Sequence, residues 1–134
     1  MSKHETWRTR KYWESVGGLL IEEFLLVAKS RDGRQAQRLL DGLIVLGEEK
    51  KLSNDHSHSI EGKDVIAVQT KANRLGMYLM GQAFFSRELL KSFNPKSIRT
   101  VAICGKGDEK MVRLWRERDI EVVVIPEEEK PARA

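Results

Sequence analysis

The sequence has one cysteine and no long apolar run, and both shortages restrict the classes of protein to which it can belong. A single cysteine cannot form an intrachain disulfide, and the apolar neighbours of Cys104 predict that it is a buried core residue. No segment approaches the roughly 18 to 20 apolar residues that a membrane-spanning helix requires. Charged residues stand near the N-terminus, where a signal peptide would need its apolar region. We therefore expect a cytoplasmic protein without a membrane partner.

The chain also has little excess charge of either sign. Its 134 residues include 24 Lys and Arg against 20 Asp and Glu, a formal net charge of +4. Such a moderate positive charge permits nucleic-acid binding but does not require it. Hydrophobic residues make up 40% of the chain and charged residues 33%, which is ordinary for one soluble domain with its own core.

The periodicity of apolar residues predicts a single domain over residues 10–125, with loose segments at 1–9 and 126–134. The predicted order is helix, strand, strand, strand, helix, strand, helix, strand. Their predicted bounds are 10–21, 24–29, 38–46, 64–71, 74–93, 98–104, 109–118 and 121–125. The polar stretch 48–63 is expected to be a long exposed connection. The helix at 74–93, with Asn73 as its N-cap, is apolar over most of its circumference and is expected to be largely buried.

These elements predict an α/β fold with a mixed central sheet that is flanked by helices. The first three strands are expected to be antiparallel neighbours, and the last two follow crossover helices and are expected to be parallel. A turn centred near Asp32 would pair positions of the first two strands whose numbers sum to 64. That register puts Glu23 opposite Asp41, and a shift by one residue would substitute Glu22 for Glu23.

Polar side chains occur in two strands that otherwise look buried. Asp41 interrupts an apolar run, and Gln69 and Lys71 stand two apart near the end of another. Residues two apart on a strand project from the same face. Carboxylate and amide oxygens at a site open to water suit Mg²⁺, and a lysine beside them can balance the charge of a phosphate. Taken singly, each residue also has a structural explanation. Asp41 fits a sheet edge, Gln69 an interior hydrogen bond and Lys71 the end of a strand that reaches solvent.

The order of elements, the carboxylate on the second strand of a hairpin and the Gln-x-Lys strand before a long helix resemble the PD-(D/E)xK superfamily, the restriction-endonuclease-like nucleases. The resemblance covers the whole predicted domain and implies an αβββαβ core. Asp41 falls on the family's strand-two aspartate, Gln69 on the acid of its ExK motif and Lys71 on its lysine. Glu23 or Glu22 falls on the acid that is often supplied by the first helix or its end.

The resemblance implies hydrolysis of phosphodiester bonds with Mg²⁺ or Mn²⁺ as cofactor, and DNA rather than RNA as substrate. The departure is Gln69, where the commonest motif has an acid, although Mrr-like restriction enzymes resemble this sequence in having Gln-x-Lys. A neutral amide donates less charge to a metal. The alternative is therefore a catalytically inactive module on the same fold that binds nucleic acid or a protein partner. Because the domain has no separate recognition unit, a homodimer or a larger protein partner is a further expectation.

Basic residues beside aromatic ones form the predicted nucleic-acid surface. Near the N-terminus, tryptophan and tyrosine alternate with arginine and lysine, as in surfaces that bind single strands. A helix that packs its aromatic residues inward and leaves its charges in solvent fits the same pattern. The basic residues predicted to contact nucleic acid are Arg8, Arg10, Lys11, Arg38 and Arg74.

Two further motifs carry weaker chemical interpretations. The turn Gly105–Asp108 between a strand and a helix is compatible with a small Rossmann-like protein that binds a nucleotide, but it lacks the full glycine-rich patterns of such sites. A tight turn with an N-cap explains it equally well. His56 and His58 could bind a metal, but no cysteine or third histidine stands near them, and a solvated loop is favoured.

Overall fold

A computed structural model describes residues 3–55, 57–74 and 76–132, without the side chains of residues 3–5 and 73–74. It contains three α-helices, α1 (Lys3–Val16), α2 (Met77–Leu90) and α3 (Glu109–Arg116). The six strands are β1 (Leu19–Val27), β2 (Arg38–Val45), β3 (Lys51–Ser53), β4 (Asp64–Arg74), β5 (Ser97–Lys106) and β6 (Ile120–Val124). Short 3₁₀ turns follow at Lys91–Phe93 and Glu127–Glu129.

The strands form one mixed sheet in the order β3-β1-β2-β4-β5-β6. β2 is antiparallel to both β1 and β4, whereas β5 is parallel to β4 and to β6. These relations confirm the α/β class and the mixed sheet. They follow from the connections, because a short link reverses the chain while a crossover helix returns it to the same end of the sheet.

The pairing of β1 with β2 has the predicted register. Leu19 lies opposite Val45 and Phe24 opposite Leu40, and both pairs sum to 64. A turn lies at the predicted place, where the N–H of Gly33 donates to the carbonyl of Ser30 at 3.3 Å. β1 ends at Val27, two residues earlier than predicted, so residues 28–37 connect the two strands. The register is kept as far as Leu25, after which it shifts by one residue.

Helices cover both faces of the sheet. The α1 face buries Trp13 of α1 against β-strand residues such as Ile44 and Ile66. The opposite face, called the α2 face below, buries α2 and α3 against β4, β5 and their neighbours. Trp115 of α3 is completely buried there beside Ala102. Alternation along each strand supplies both cores, since successive side chains point to opposite faces.

The prediction of loose terminal segments is corrected at residues 3–9 and at Glu127–Glu129. Residues 3–9 belong to α1, and its Arg8 is bound to the C-terminal segment. The guanidinium Nε of Arg8 donates to the carbonyl of Ile125 at 2.8 Å, and Nη2 donates to Glu127 at 3.2 Å. The two ends of the chain therefore hold each other.

Two other predictions about elements are corrected. The polar connection contains the short strand β3, which pairs in parallel with β1 at the edge of the sheet. α2 begins at Met77 after an N-cap at Gly76, and Asn73 belongs to β4. α2 is also less buried than its composition suggested, because Met77 and Tyr78 are 79% and 76% exposed.

The predicted burial of the single cysteine is confirmed, since Cys104 lies in the core of β5. Burial raises the pKa of its thiol. Asp108 is the predicted N-cap of α3, and its carboxylate accepts a hydrogen bond from the backbone N–H of Met111. In the described part of the chain, no helix has the length and apolarity needed to cross a membrane.

Candidate active-site row and adjoining cleft

Asp41 lies where the ladder between β2 and β4 ends. The last paired residues are Gly42 and Val68. One residue further, the carboxylate Oδ2 of Asp41 accepts a hydrogen bond of 2.8 Å from the backbone N–H of Thr70. The side chain thus takes the place of a backbone acceptor, which fixes it between the two strands. An otherwise apolar strand tolerates the carboxylate because its oxygen has this partner.

Three polar residues occupy one row across the sheet. The pairs on both sides of Glu23 have a constant register, so Glu23 lies opposite Asp41. Extending the β2–β4 register by one residue puts Gln69 opposite Asp41. In the strand order, Glu23 of β1, Asp41 of β2 and Gln69 of β4 are therefore neighbours, and we call them the polar row. The sequence predicted these three residues, and the sheet brings their backbones together.

The backbone is irregular at this row in both strands of the hairpin. Glu23 has a φ of 52°, in the left-handed region that non-glycine residues seldom adopt. Ile21 and Phe24 both pack in the core on the α2 face, so the alternation of β1 shifts at Glu23. Leu40 and Leu43 show the same shift across Asp41. Left-handed non-glycine residues cost about 1–3 kcal/mol and concentrate at functional sites.

Gln69 and Lys71 share the α2 face, as predicted. Gln69 is 4% exposed, and its Nε2 donates a hydrogen bond of 2.8 Å to Oγ of Ser86 in α2. This contact turns the amide oxygen, the atom that could bind a metal, away from Ser86. Nζ of Lys71 lies 5.6 Å from the ring centroid of Tyr78, also in α2. One helix therefore orients both side chains.

Glu22 does not join this group. Its carboxylate accepts two hydrogen bonds from the guanidinium of Arg10 in α1, at 2.8 and 2.9 Å. It therefore faces α1, on the opposite side of the sheet from Gln69 and Lys71. The predicted register holds without a shift, so Glu22 does not replace Glu23 opposite Asp41.

On the α1 face, the helix approaches the sheet directly behind the polar row. A Cβ atom at Gly42 would lie 2.8 Å from Cγ2 of Thr9 and 3.1 Å from Cδ1 of Leu20. Oγ1 of Thr9 is 2.9 Å from Oγ1 of Thr70, the residue whose N–H binds Asp41. Gly42 and this buried hydroxyl pair keep α1 close behind the strand residues that carry the row.

The predicted basic surface near the N-terminus is corrected for Arg8. This residue is 1% exposed and is held by the C-terminal segment, so it cannot contact nucleic acid from the surface. Arg10 forms an ion pair with Glu22, and Nζ of Lys11 lies 3.6 Å from a carboxylate oxygen of Glu129. Both basic residues belong to α1 and lie on its side of the sheet. The aromatic residues of α1 pack against the core, as the alternative interpretation expected.

The two remaining basic candidates belong to β2 and β4. Arg38 is exposed at the start of β2 and borders a cleft beside α2. Arg74 ends β4, and its side chain lies outside the described residues. Of the predicted nucleic-acid contacts, Arg38 is therefore the one that the structure brings near Gln69.

Within the described residues, no three His, Cys, Asp or Glu side chains form a group that could hold a metal. The polar row contributes two carboxylates and one amide oxygen, which are the oxygen donors that Mg²⁺ accepts when water completes its shell. A metal at the row would therefore depend on Gln69 as a third protein ligand. This donor set fits a hard divalent cation and fits a soft metal poorly.

The other candidate sites have structural explanations. The Asp108 carboxylate caps α3, so a phosphate at that helix start would meet negative charge. Nε2 of His58 lies 3.0 Å from a carboxylate oxygen of Glu48, and His56 lies outside the described residues. Both arrangements favour the turn and loop interpretations of these motifs.

A cleft of about 620 Å³ opens beside the polar row, between α2 and the sheet. Its lining includes Gln69, Ser86, Tyr78, Gly81 and Phe85. The apolar pattern of α2 gave no sign that its four residues would line a cleft. Ser86 could have been noticed as a polar residue on a helix that is otherwise mostly apolar, and Tyr78 and Phe85 by their helical spacing of seven.

Comparison with known proteins gives no match, whether to protein families, to curated proteins or to solved structures.

Proposed function

We propose that this protein is a Mg²⁺-dependent nuclease that hydrolyses DNA phosphodiester bonds on a restriction-endonuclease-like core. The observation that supports the proposal is the polar row, in which Glu23, Asp41 and Gln69 stand side by side on three adjacent strands. Lys71 adds a cation on the same face as Gln69. Oxygen donors suit Mg²⁺, and a lysine beside them stabilises the charge that develops on a phosphate during hydrolysis.

In this proposal, Asp41, Glu23 and the amide oxygen of Gln69 hold the cation, with Mn²⁺ as a substitute. When bound, such an ion lowers the pKa of a water nucleophile and neutralises charge on the phosphate. Lys71 donates to a phosphate oxygen and stabilises the negative charge that develops there. Its ammonium lies over the ring of Tyr78, and its backbone is two residues along β4 from Gln69.

Preorganisation of the side chains supports a binding role. Asp41 is fixed by the N–H of Thr70, and Gln69 is fixed by the hydroxyl of Ser86. A side chain that is already held loses little conformational entropy when it binds a ligand. The left-handed backbone at Glu23 is a further sign, because strain of this kind persists where the surrounding structure enforces it.

The second candidate is a nucleic-acid-binding module without hydrolytic activity. The composition of the row favours it, because an amide donates less charge than a carboxylate and would bind Mg²⁺ less tightly. Under this candidate, the chain binds DNA through basic residues such as Arg38 and Lys71, and its affinity falls with salt as phosphate contacts do.

The test of hydrolysis compares Lys71→Ala with Lys110→Ala. Lys110 is an exposed lysine at the start of α3 and is remote in sequence from the polar row. Its substitution removes the same charge without changing the row. With Mn²⁺ and either plasmid or single-stranded DNA, Lys71→Ala should lose activity by roughly a hundredfold or more, whereas the control should keep it. A wild-type protein that is inert on both substrates but binds DNA would support the second candidate.

The test of the metal site compares Asp41→Asn with Asp119→Asn. Asparagine can still accept the hydrogen bond from Thr70, so the fold should survive, and Asp119 has a left-handed φ of 57° that asparagine tolerates. Mn²⁺ should raise the melting temperature of the wild type and of the control, because a ligand bound by the folded state stabilises it. An equal rise in Asp41→Asn would put the metal elsewhere.

A further inference from the structure

The cleft beside the polar row has the surface of a ligand site. Tyr78 and Phe85 lie seven residues apart on the same side of α2 and are 76% and 64% exposed. Exposed apolar side chains that form a contiguous patch mark surfaces that bind a ligand or a partner. Together with Leu39 and Leu89, they give the cleft an apolar wall.

Gly81 keeps the cleft open. It stands inside α2, where glycine costs roughly 0.5–1 kcal/mol relative to alanine. A Cβ atom at this position would meet no atom within 4 Å, so packing does not demand a glycine. Backbone conformation does not demand it either, since Gly81 is not among the residues with positive φ. The missing side chain leaves room between the two exposed rings.

The charge around the cleft is complementary to a polyanion. Arg38 borders it, and Lys71 lies over the ring of Tyr78. Among the described residues, no aspartate or glutamate belongs to its lining. Gln69, Gln82 and Ser86 supply amide and hydroxyl groups that can bond the polar edge of a planar ring.

We propose that this cleft binds an unstacked nucleobase, so that the substrate class of the protein is single-stranded DNA. Exposed aromatic faces with basic groups beside them bind single strands by stacking, and the bases of a duplex are not available for such contacts. The cleft adjoins Gln69, so a base seated in it brings its own phosphate towards the polar row. This inference rests on the proposed nuclease function, because a bound strand is a substrate only if the polar row hydrolyses it.

The test measures binding without metal, so that it does not depend on hydrolysis. Fluorescein-labelled single-stranded and duplex oligonucleotides of the same sequence are titrated with the full chain in EDTA and low salt, and anisotropy is recorded. The variants are Tyr78→Ala, Phe85→Ala and Gly81→Met. Leu114→Ala is the matched control, because Leu114 is an apolar side chain of α3 that is 41% exposed and lies outside the cleft.

The wild type should bind the single strand more tightly than the duplex. Each of the three cleft variants should weaken single-strand binding by about tenfold, the effect of losing one stacked base. Gly81→Met should do so while raising the melting temperature, which separates occlusion of the cleft from loss of folding. Leu114→Ala should bind as the wild type does.

Several results would overturn the inference. One is equal binding of single strand and duplex, and another is undiminished binding by all three variants. A third is self-association of the wild type that the cleft variants abolish, since the apolar wall would then be an interface between copies. The proposed function fails separately. If Mn²⁺ produces no cleavage while the cleft variants still lose single-strand binding, the proposal that the cleft binds a base is supported and the proposal of hydrolysis is wrong.

Discussion

At the scale of single residues, the polar row depends on side chains whose neighbours fix them. Asp41 accepts a hydrogen bond from a backbone N–H, and Gln69 donates one to a serine hydroxyl, so each side chain has a partner within the protein. Two glycines matter because they have no side chain. Gly81 leaves space that a ligand could fill, whereas Gly105 permits β5 to pass close to the backbone of Ala72.

Gln69→Glu tests the residue at which the sequence departs from the common nuclease motif. A carboxylate at this buried position would stand opposite Asp41, so the free energy of unfolding in EDTA should fall by about 1 kcal/mol or more. Mn²⁺ should then raise the melting temperature by more than in the wild type. Thermal melts with and without metal measure both effects, and Gln37→Glu, at an exposed position, is the control. A smaller metal response than in the wild type would contradict a role for Gln69 as a ligand.

Gly81→Ala should stabilise the protein, and Gly105→Ala should destabilise it. The first adds a methyl group to a helix with nothing within 4 Å, which should contribute about 0.5–1 kcal/mol. The second drives a Cβ atom into the backbone carbonyl of Ala72, where β4 and β5 pair irregularly. Urea unfolding of both variants gives the comparison, and a loss of stability in Gly81→Ala would mean that the position is packed.

At the scale of elements, α2 has two functions. Its buried side closes the core over β4 and β5 through Leu79, Ala83 and Leu90, and its other side is the wall of the cleft. Ser86 belongs to the buried side and connects the helix to Gln69. The helix is therefore both a packing element and the support of the polar row.

Ser86→Ala tests that connection. Removing the hydroxyl leaves the buried amide of Gln69 without this partner, which should lower the free energy of unfolding by about 1–3 kcal/mol. Ser92→Ala is the control, because the hydroxyl of Ser92 is exposed and donates to the carbonyl of Leu89. Denaturant titration measures both variants. If they lose the same stability, the contact with Gln69 contributes nothing specific.

At the scale of the whole molecule, the two ends of the chain form one structure. α1 covers one face of the sheet, and Arg8 binds the segment that follows β6. The residues joined by the Arg8–Ile125 hydrogen bond are 117 positions apart, so it closes nearly the entire chain. Lys11 and Glu129 add an exposed pair beside it.

Arg8→Met should release the C-terminal segment. The variant keeps an apolar stem but loses the hydrogen bonds to Ile125 and Glu127, and we expect a loss of about 2–3 kcal/mol, in the range for bonds that involve a charged group. Arg10→Met, which breaks a half-exposed pair with Glu22, should cost no more than about 1 kcal/mol. Hydrogen exchange should rise at the amides of Ile125 and Glu129 in the first variant alone. Unchanged protection at these amides would show that other contacts hold the segment.

The sequence by itself determined the local properties of this protein. Apolar alternation identified five of the six strands, and the numbering of two strands around a turn gave the register that puts Glu23 opposite Asp41. Asp108 was recognisable as a helix cap from its position alone. These features depend on residues close in sequence or on the period of side chains along a strand, so a single chain contains the information for them.

The tertiary structure alone decided which surfaces are covered. Burial of Arg8 requires the distant segment at Ile125, and the short strand β3 exists because β1 offers a free edge. The apolar composition of α2 predicted burial, yet no other element covers Tyr78 or Phe85 among the described residues. Hydrophobicity states what a side chain gains from burial, but only the positions of the other elements decide whether a neighbour is there to bury it.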